Sequence, residues 1–407
     1  MAEKLQAPRG TFDVLPEDGG RRLALHGTTR DLLERAGYGF FDSPVFEDTE
    51  VFARGVGEST DIVSKEMFTF EDKGGRSLTL RPEGTAGVCR AYAEHGMHKL
   101  PQPVKLWYWG PFFRHEAPQA GRFRQFTQVG AEALGSDDPS LDADLILLLA
   151  ELLERAGAKD VRLRLSSLGD AATRESYGAE LKTYLRENEG ELSDEVRGRI
   201  DANPLRAFDA DHAGTRKVME GAPLLLDRLA ADDAEHFEAV RALLDAAGLG
   251  YELDPTLVRG LDYYTRTVFE FESGELGAQN ALGGGGRYDG LVEKLGGPAT
   301  AGVGWAAGIE RILLAGDLDA NRGARVFVSW TDDAAAAFAV VRAVRARGAH
   351  AEMEQAGRSL KGQLKQADRI GAAYVVLVGD GLQIKDMATG EQRSVADVDE
   401  AVEAVTG

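Results

Sequence analysis

The chain has 407 residues, 43% of them apolar and 28% charged, which suits a globular protein of two or three domains with room for a sizeable core. Its formal net charge of −20 argues mildly against a nucleic-acid partner, because phosphate binding needs lysine and arginine. Only the contact face of a large protein has to be basic, however, so an RNA partner stays open.

Cysteine and histidine usage limits the metal and redox chemistry. The single cysteine, Cys89, excludes an intrachain disulfide and a cysteine-based cluster, and the seven histidines show no spacing typical of a zinc site. The segment MAEKLQAPRG lacks the layout of a secretory signal. The most apolar run, Leu145 to Ala150, is far shorter than the roughly 20 residues that span a bilayer. We therefore expect no protein metal site, no membrane contact and a cytoplasmic protein.

The first segment with chemical character is RPEGT at 81–85, between a predicted strand (SLTL) and a predicted helix (AGVCRAYAEHG). An acid and a hydroxyl at a helix start ordinarily cap that helix. Alternatively, Glu83 points into a pocket and receives a cationic group. The residues alone leave both interpretations open.

Two apolar, aromatic-bearing runs, 104–113 and 123–131, predict antiparallel strands joined by a long functional loop at 115–122. Four polar side chains stand at even spacing on these strands and are expected to share one face. The intervening positions of the strands include Phe, Leu and Trp. Burying a polar face in such surroundings is costly unless the face binds a polar ligand. The four residues are Arg114, Glu116, Gln128 and Glu132.

The next segments are helical. DADLILLLAELLERAGA predicts a buried amphipathic helix closed by Gly157. From about 170 to 250 the chain is charge-rich, and ELSDEVRGRI and DAEHFEAVRALLDAAG have the periodicity of amphipathic helices. We predict an inserted helical subdomain over this range.

Strand patterning returns after residue 250, with three notable segments. In LVRGLDYYTR (257–266), tyrosines beside arginines form either an aromatic surface patch or a pocket in which a guanidinium grips a carboxylate or phosphate. The four glycines at 283–286 either let the backbone approach a ligand or form a tight turn between strands. In GVGWAAGIER (302–311), the spacing is wrong for a dinucleotide fingerprint, and small residues lead into a helix that displays Arg311.

The C-terminal residues 324–407 alternate strands with helices, which predicts a separate small α/β domain with a largely parallel sheet and a hairpin turning at Thr389-Gly390. The second predicted helix, SLKGQLKQADRIG, carries most of a stripe of basic residues that are spaced three and four positions apart. A solvated helix face and an RNA contact are equal alternatives for this stripe. The basic stripe consists of Arg358, Lys361, Lys365 and Arg369.

Taken in order, these segments resemble the histidyl-tRNA synthetases, a subfamily of the class II aminoacyl-tRNA synthetases, from GTFDVLPED at 10–18 to the C-terminal domain. The segment around Pro44, the stretch from FRHE through GRFRQF, and GIER are similar to the three general class II motifs, of which the first serves the dimer interface. RPEGT, LVRGLDYYTRTVFEF and GGGGRYDGL are characteristic of the histidine enzymes. The resemblance implies an α+β fold, with an antiparallel-sheet catalytic core and helical insertion in residues 1–323 and an α/β anticodon-binding domain in residues 324–407.

The same resemblance implies a homodimer that activates L-histidine with ATP and Mg²⁺ and transfers it to the 3′-terminal ribose of tRNA(His). One implied set of residues surrounds histidine. It comprises Glu83, Thr85 and Gln128 at the α-amino group, Glu132, Tyr264 and Tyr288 at the imidazole, Tyr263 beside them, and Arg259 at the carboxylate.

A second implied set surrounds ATP, and its arginines are the implied catalytic residues. It comprises Arg114 and Arg259 at the α-phosphate, Glu116 and Phe126 at the adenine, Arg122 at the β- and γ-phosphates, and Arg311 at the γ-phosphate. Attack of a carboxylate on a phosphate gathers negative charge, which guanidinium groups and Mg²⁺ stabilise. No side-chain nucleophile is required.

The sequence departs from the family pattern on strand 123–131. Thr127 stands where the family often has histidine, and we expect it to tune activity because it lies on the strand face opposite Gln128. The main alternative is the synthetase-like regulatory subunit of bacterial ATP phosphoribosyltransferase, which shares the core fold. That subunit usually lacks the anticodon domain and parts of the active site, whereas this sequence carries both.

Overall fold

The computed structural model divides into two compact units, residues 1–319 and 320–407. The predicted domain boundary between residues 323 and 324 lies outside the described residues. The structure describes residues 4–57, 60–118, 121–257, 259–277, 280–319 and 325–406.

The strands follow the apolar and aromatic runs of the sequence. In chain order they are β1 (Gly39–Phe40), β2 (Phe46–Asp48), β3 (Thr69–Glu71), β4 (Ser77–Leu80), β5 (Val104–Phe113), β6 (Gln125–Leu134), β7 (Val161–Ser167), β8 (Glu252–Leu253), β9 (Thr265–Ser273), β10 (Ala281–Arg287), β11 (Gly302–Gly308), β12 (Arg325–Trp330), β13 (His350–Met353), β14 (Tyr374–Gly379), β15 (Gly381–Asp386) and β16 (Gln392–Val395).

The α-helices connect and cover these strands. In chain order they are α1 (Pro16–Arg35), α2 (Thr49–Val56), α3 (Thr85–Glu94), α4 (Pro139–Arg155), α5 (Ala171–Glu187), α6 (Asp194–Arg199), α7 (Ala213–Met219), α8 (Ala231–Ala246), α9 (Leu291–Lys294), α10 (Ile309–Ala315), α11 (Ala334–Ala346), α12 (Leu360–Arg369) and α13 (Val398–Thr406). Within the described ranges, no helix has both the length and the apolar character needed to cross a membrane.

Helix α4 shows how local sequence sets the ends of an element. The Asp138 side chain accepts a hydrogen bond from Ser140 N at 2.8 Å, and Pro139 occupies the first turn, where a missing N–H is tolerated. Gly157 follows the helix with φ of +70°, a left-handed conformation that glycine adopts freely. The buried helix closed by Gly157 is therefore confirmed.

The core of the first unit is an eight-stranded sheet with the order β1-β5-β6-β11-β10-β9-β7-β8. The six inner strands pair antiparallel, and the short edge strands β1 and β8 pair parallel. The antiparallel-sheet core expected from the resemblance is thus confirmed. A separate three-stranded sheet, β2-β4-β3, precedes the segment at 81–85.

Helices cover both faces of the eight-stranded sheet. Successive residues of β5 point to opposite faces, and Trp107 and Tyr108 accordingly enter different core clusters. Trp107 packs in the cluster formed with α1, α4 and α8, whereas Tyr108 packs in the cluster formed with α3 and α5–α7. The helical character predicted for residues 170–250 is confirmed, and α8 differs from its neighbours because it packs on α4.

The second unit is an α/β domain with the sheet order β13-β12-β14-β15-β16. The first three strands pair parallel, and β15 and β16 form the predicted antiparallel hairpin, with Gly390 at φ +77° in its turn. Helices α11 and α13 pack in one core cluster and α12 contributes to another. Helix α13 was not assigned from the sequence.

Candidate active site

A cavity of about 360 Å³ lies over strands β6, β9, β10 and β11 of the first unit. Its walls come from segments that are far apart in the chain, including 83–85, 114–128, 259–264 and 306–311. Most of the residues singled out from the sequence line it directly. They are Glu83, Thr85, Arg114, Glu116, Arg122, Phe126, Gln128, Arg259, Tyr263, Tyr264 and Arg311.

Glu132 lies behind this lining, fully buried on β6. Its Oε1 accepts hydrogen bonds from Thr85 Oγ1 at 2.7 Å and Tyr108 Oη at 3.3 Å, and its Oε2 accepts one from Tyr288 Oη at 2.7 Å. Burial raises the pKa of Glu132 to about 8. The carboxyl group therefore keeps its proton through neutral pH unless a cationic group comes to lie beside it.

Glu83 caps a helix, which confirms the first interpretation of RPEGT, and it also lines the cavity, where the binding of a cationic group stays a prediction. Its carboxylate accepts hydrogen bonds from Thr85 N at 2.8 Å and Ala86 N at 3.0 Å, the free donors of the first turn of α3. Tyr263 Oη donates to the same carboxylate at 3.4 Å. Burial raises the pKa of Glu83 as well.

The loop between β5 and β6 differs from the prediction. Strand β5 ends at Phe113, so the expectation that Arg114 and Glu116 continue the strand face is wrong. Arg114 N still donates to Arg124 O at 3.0 Å, and the chain leaves the sheet at His115, whose N donates to Glu66 O at 2.7 Å. Strand β6 likewise begins at Gln125, two residues after the predicted start.

The loop nevertheless delivers its charged side chains to the cavity. Arg114 lies over the ring of Phe126, 5.5 Å from its centre, and its Nε donates to Pro82 O at 2.9 Å. Glu116 forms an ion pair with Arg122. This corner therefore holds an aromatic face next to two guanidinium groups.

The segment 259–264 lines the cavity, and the aromatic surface patch considered above is wrong. Tyr263 and Tyr264 are buried, and Arg259 lies 6.0 Å from the ring centre of Tyr264. The Arg259 guanidinium forms an ion pair with Glu270 of β9. Arg259 is partly buried, and an arginine with one carboxylate partner keeps donors that can still bind a carboxylate or a phosphate.

Arg311 comes from the start of α10, as the sequence predicted. Its Nε donates to Gly121 O at 3.0 Å and its Nη1 to Ala281 O at 2.8 Å. Both partners are neutral carbonyl groups, so its charge is not neutralised there. Burial lowers the pKa of Arg311, and the nearby Arg122 lowers it further.

The four consecutive glycines lie in the middle of β10, so the turn interpretation is wrong. A Cβ on Gly284 would stand 2.5 Å from Phe269 O on the neighbouring strand, and Gly284 also lines the cavity. The run is therefore needed for close approach of the backbones at the cavity wall.

Gln128 and Thr127 point to opposite sides of β6, as expected. Gln128 lines the cavity, and its buried Oε1 has no hydrogen-bond partner among the described residues. Thr127 does not line the cavity, and its hydroxyl accepts a hydrogen bond from Arg22 of α1 at 2.9 Å. An unpaired buried acceptor such as Gln128 Oε1 is costly, which favours a donor supplied by a ligand.

Sequence reasoning missed two residues of this site. Glu270, the partner of Arg259, stands between Phe269 and Phe271 in β9, where an acid inside an aromatic strand was the available signal. Tyr108, a partner of Glu132, has no such signal because it lies in a uniformly aromatic run.

Metal ligation by the protein alone has no support in the described ranges. They contain no group of three or more His, Cys, Asp or Glu side chains placed to hold an ion. The cavity does present two carboxylates, Glu116 and Glu270, each paired with an arginine. This donor set fits Mg²⁺ that arrives with phosphate oxygens, because Mg²⁺ commonly uses only one or two carboxylates together with substrate phosphates.

The basic stripe of the second unit lies partly on α12. Lys361, Lys365 and Arg369 are exposed on this helix. Arg358 precedes the helix and pairs with Glu354 at 3.1 Å, so its charge is partly satisfied. The stripe is therefore three exposed cations plus one paired arginine.

Comparison with known families covers both units. A family model described as histidyl-tRNA synthetase matches residues 10–312, and one described as anticodon binding domain matches residues 326–407.

Individual relatives agree with these matches. The histidine–tRNA ligase of Rubrobacter xylanophilus is 47% identical over 407 residues, covering 96% of each chain. The apo histidyl-tRNA synthetase of S. aureus is similar in structure, with a TM-score of 0.82 and 36% identity over 99% of this chain and all of that one. A Bacillus halodurans structure described as an ATP phosphoribosyltransferase regulatory subunit/histidyl-tRNA synthetase gives a TM-score of 0.68 at 22% identity, over 93% of this chain and 99% of that one, and so shares the fold.

Proposed function

The chain belongs to the histidyl-tRNA synthetase family, and we propose that it joins L-histidine to tRNA(His) with the residues of the cavity described above. Its activity is that of a histidine–tRNA ligase, an ATP-dependent enzyme. One observation carries the residue assignment: Arg114, Arg259 and Arg311 line a single cavity with Glu132 buried directly behind it.

Histidine binds at the buried end of the cavity. Glu132 accepts the imidazole N–H, and the hydroxyl groups of Tyr288 and Thr85 hold its carboxylate in place. Tyr264 closes the other side of the ring. A neutral imidazole offers one donor and one acceptor, so a site built from an acid and hydroxyl groups rejects apolar side chains of similar size.

The α-amino group of histidine lies near Glu83 and Gln128. Glu83 brings negative charge, and the unpaired Oε1 of Gln128 gains a donor from the ammonium group. Both residues line the same wall as Thr85. This arrangement leaves the histidine carboxylate directed towards Arg259.

ATP binds over the loop that follows β5. The adenine stacks on Phe126 beside Glu116, which leaves the phosphates between the arginines. Arg114 and Arg259 bind the α-phosphate, Arg122 the β- and γ-phosphates, and Arg311 the γ-phosphate.

The first reaction is the attack of the histidine carboxylate on the α-phosphate, with pyrophosphate as the leaving group. Negative charge grows on the transferring phosphoryl group, and donors fixed before the reaction stabilise it without reorganisation. Arg259 serves both reactants because it approaches the carboxylate and the α-phosphate together. Glu116 and Glu270 would hold Mg²⁺ that arrives with the phosphates, and the ion would neutralise part of the phosphate charge.

The second reaction transfers histidine to the terminal ribose hydroxyl of tRNA(His). The second unit matches the anticodon-binding family, and we assign its exposed Lys361, Lys365 and Arg369 to the RNA phosphates. We also propose a homodimer that works in the cytoplasm. Exposed Phe46 and Phe70, near the first class II motif, supply an apolar patch for the dimer interface.

The regulatory-subunit alternative is not favoured. The structure with that description shares the fold at 22% identity, whereas histidine–tRNA ligases are 47% identical to this chain. The test is single-turnover incubation of the protein with histidine and ATP labelled at the α-phosphate. We expect labelled histidyl-adenylate; a protein that binds histidine without consuming ATP would contradict the proposal.

A further inference from the structure

Helix α1 contacts α10, the helix that carries Arg311, at both of its ends. Two consecutive arginines of α1 make these contacts, and neither lines the cavity. Arg21 reaches the C-terminal end of α10: its Nη2 donates to Leu313 O at 2.8 Å and Gly316 O at 3.0 Å, and its Nε donates to Leu318 O at 3.2 Å. These carbonyls lie at and just beyond the end of a helix, where backbone acceptors lack intrahelical partners.

Arg22 reaches the N-terminal end of α10. Its Nη2 donates to Glu310 Oε1 at 2.7 Å, and its Nη1 donates to Thr127 Oγ1 at 2.9 Å. The Glu310 carboxylate also accepts from Thr127 N, at 3.0 and 3.1 Å. Arg22, Glu310 and Thr127 therefore form a closed set of charge-assisted hydrogen bonds that ties α1 and α10 to β6.

The hydrogen bonds among Arg22, Glu310 and Thr127 hold Glu310 in place, and Glu310 directly precedes Arg311 in the chain. Helix α10 has only seven residues, too few to be stable alone, so its orientation depends on tertiary contacts. Glu310 is 8% exposed, and Arg22 is its ion-pair partner in the described part of the chain. A buried carboxylate that loses its cation is strongly destabilised and is expected to move towards water. Such a movement would displace the backbone of Arg311.

The contact also reaches the loop between β5 and β6. The Arg22 guanidinium lies 5.6 Å from the ring centre of Phe12, and Phe12 lies 4.5 Å from the ring centre of Phe123. Phe123 lines the cavity next to Arg122. Arg22 thus contacts α10 directly and the loop between β5 and β6 through Phe12, and these are two of the three elements that supply arginines to the phosphates.

We propose that Arg22 is a positioning residue for the phosphate-binding arginine Arg311, acting through Glu310, with Arg21 fixing the far end of the same helix. The inference rests on the proposed function, because it takes Arg311 as a ligand of the ATP phosphates. It assigns to α1 a role in ATP use and none in histidine recognition, since the contacts of Arg21 and Arg22 among the described residues are with α10, the residues just after it, Thr127 and Phe12.

The test measures ATP–pyrophosphate exchange by Arg22→Met, which keeps the length and packing of the side chain but removes its donors. Rates are expressed per active site after titration of adenylate-forming sites. We expect a rise in KM for ATP or a fall in kcat of about ten- to one-hundredfold, as for a misplacement of about 1 Å. The KM for histidine should change by less than about twofold, and Arg22→Lys should restore part of the loss.

The matched control is Arg30→Met on the same helix, whose side chain is exposed and pairs with Asp31. This control should leave both KM values unchanged. Equal changes in KM for ATP and histidine in Arg22→Met, or a loss of active sites with unchanged constants, would show a general structural role and overturn the inference.

A second comparison separates this inference from the proposed function. Arg311→Lys should raise KM for ATP by itself, and adding Arg22→Met should then cost much less than it does in the wild type. If Arg311→Lys has no effect on ATP, the phosphate role proposed for Arg311 fails. If Arg311→Lys is impaired while Arg22→Met behaves as wild type, only the positioning role fails.

Discussion

Replacing Glu132 with glutamine removes a buried ionisable carboxyl group while keeping the shape of the side chain. Glu132 is fully buried, and three hydroxyl groups donate to it, those of Thr85, Tyr108 and Tyr288. Glutamine retains one acceptor oxygen, so part of this network survives. The variant therefore separates the effect of charge from the effect of volume.

The stability of the two proteins should diverge with pH. Burial raises the pKa of Glu132 from 4.5 to about 8, so the folded state holds the proton more tightly than the unfolded chain. The wild-type protein therefore loses stability relative to Glu132→Gln as pH rises from about 4.5 to about 8, and the difference then levels off. At about 1.4 kcal/mol for each pH unit, the full difference is on the order of 5 kcal/mol.

The substitution should lower catalytic efficiency with histidine, although it raises stability relative to the wild type at high pH. Above about pH 8, where Glu132 is ionised, the amide cannot replace its charge-assisted hydrogen bond to the imidazole, a contact worth roughly 1.5–3 kcal/mol, so kcat/KM for histidine should fall there by about ten- to one-hundredfold. The KM for ATP should stay within about twofold, because Glu132 lies away from the phosphates.

The assay is the thermal unfolding midpoint of both proteins at pH 5, 7 and 9, with exposed Glu187→Gln on α5 as the control. The midpoint of Glu132→Gln relative to wild type should rise between pH 5 and pH 9, and Glu187→Gln should show no trend. If the unfolding midpoint of Glu132→Gln relative to wild type stays constant or falls as pH rises, the pKa of Glu132 is not raised in the folded protein.

Adenylate formation, tRNA binding and dimerisation can each be tested by substitution. Arg259→Ala should lower the rate of histidyl-adenylate formation at least about one-hundredfold, measured in a single turnover, because its donors stabilise the transition state. Lys361→Glu combined with Lys365→Glu should raise KM for tRNA in aminoacylation and leave tRNA-independent ATP–pyrophosphate exchange unchanged, since these side chains lie on the second unit. Phe46→Glu combined with Phe70→Glu should shift the protein from dimer to monomer in sedimentation, because both side chains are exposed and apolar.

Controls make these predictions specific. Arg259→Lys keeps a cation beside Glu270, so a rate loss in this variant as well would reflect the lost guanidinium geometry and not an unpaired carboxylate. Arg342→Glu and Arg347→Glu, exposed on or next to α11, give the same charge change away from α12. A similar rise in KM for tRNA in that pair would contradict a specific role for the basic stripe.

Elements with local signals were predictable from the sequence. Helix α4 begins where Asp138 and Pro139 favour a start, and it ends before Gly157, which adopts a left-handed conformation. The hairpin of β15 and β16 turns at the predicted Gly390. In each case the deciding interactions are made within a few residues along the chain.

Features decided by distant residues were not predictable in the same way. The glycine run at 283–286 has the composition of a turn, yet it lies in β10 because neighbouring strands leave no room for a Cβ. The chain leaves the sheet just after Arg114, because the next residue, His115, donates its backbone N–H to Glu66 O. The sequence identified Arg259 as important, but its partner Glu270 became clear only once β9 was placed.

ATP–pyrophosphate exchange with each of the twenty amino acids, in the absence of tRNA, tests both the adenylation chemistry and the amino-acid selectivity of the cavity. We expect exchange with histidine alone, because adenylation needs the arginines of the cavity and selectivity needs the network around Glu132. Exchange with several amino acids would contradict the proposed imidazole site. No exchange with any of them, from folded protein, would contradict the proposed adenylation chemistry and favour a regulatory role.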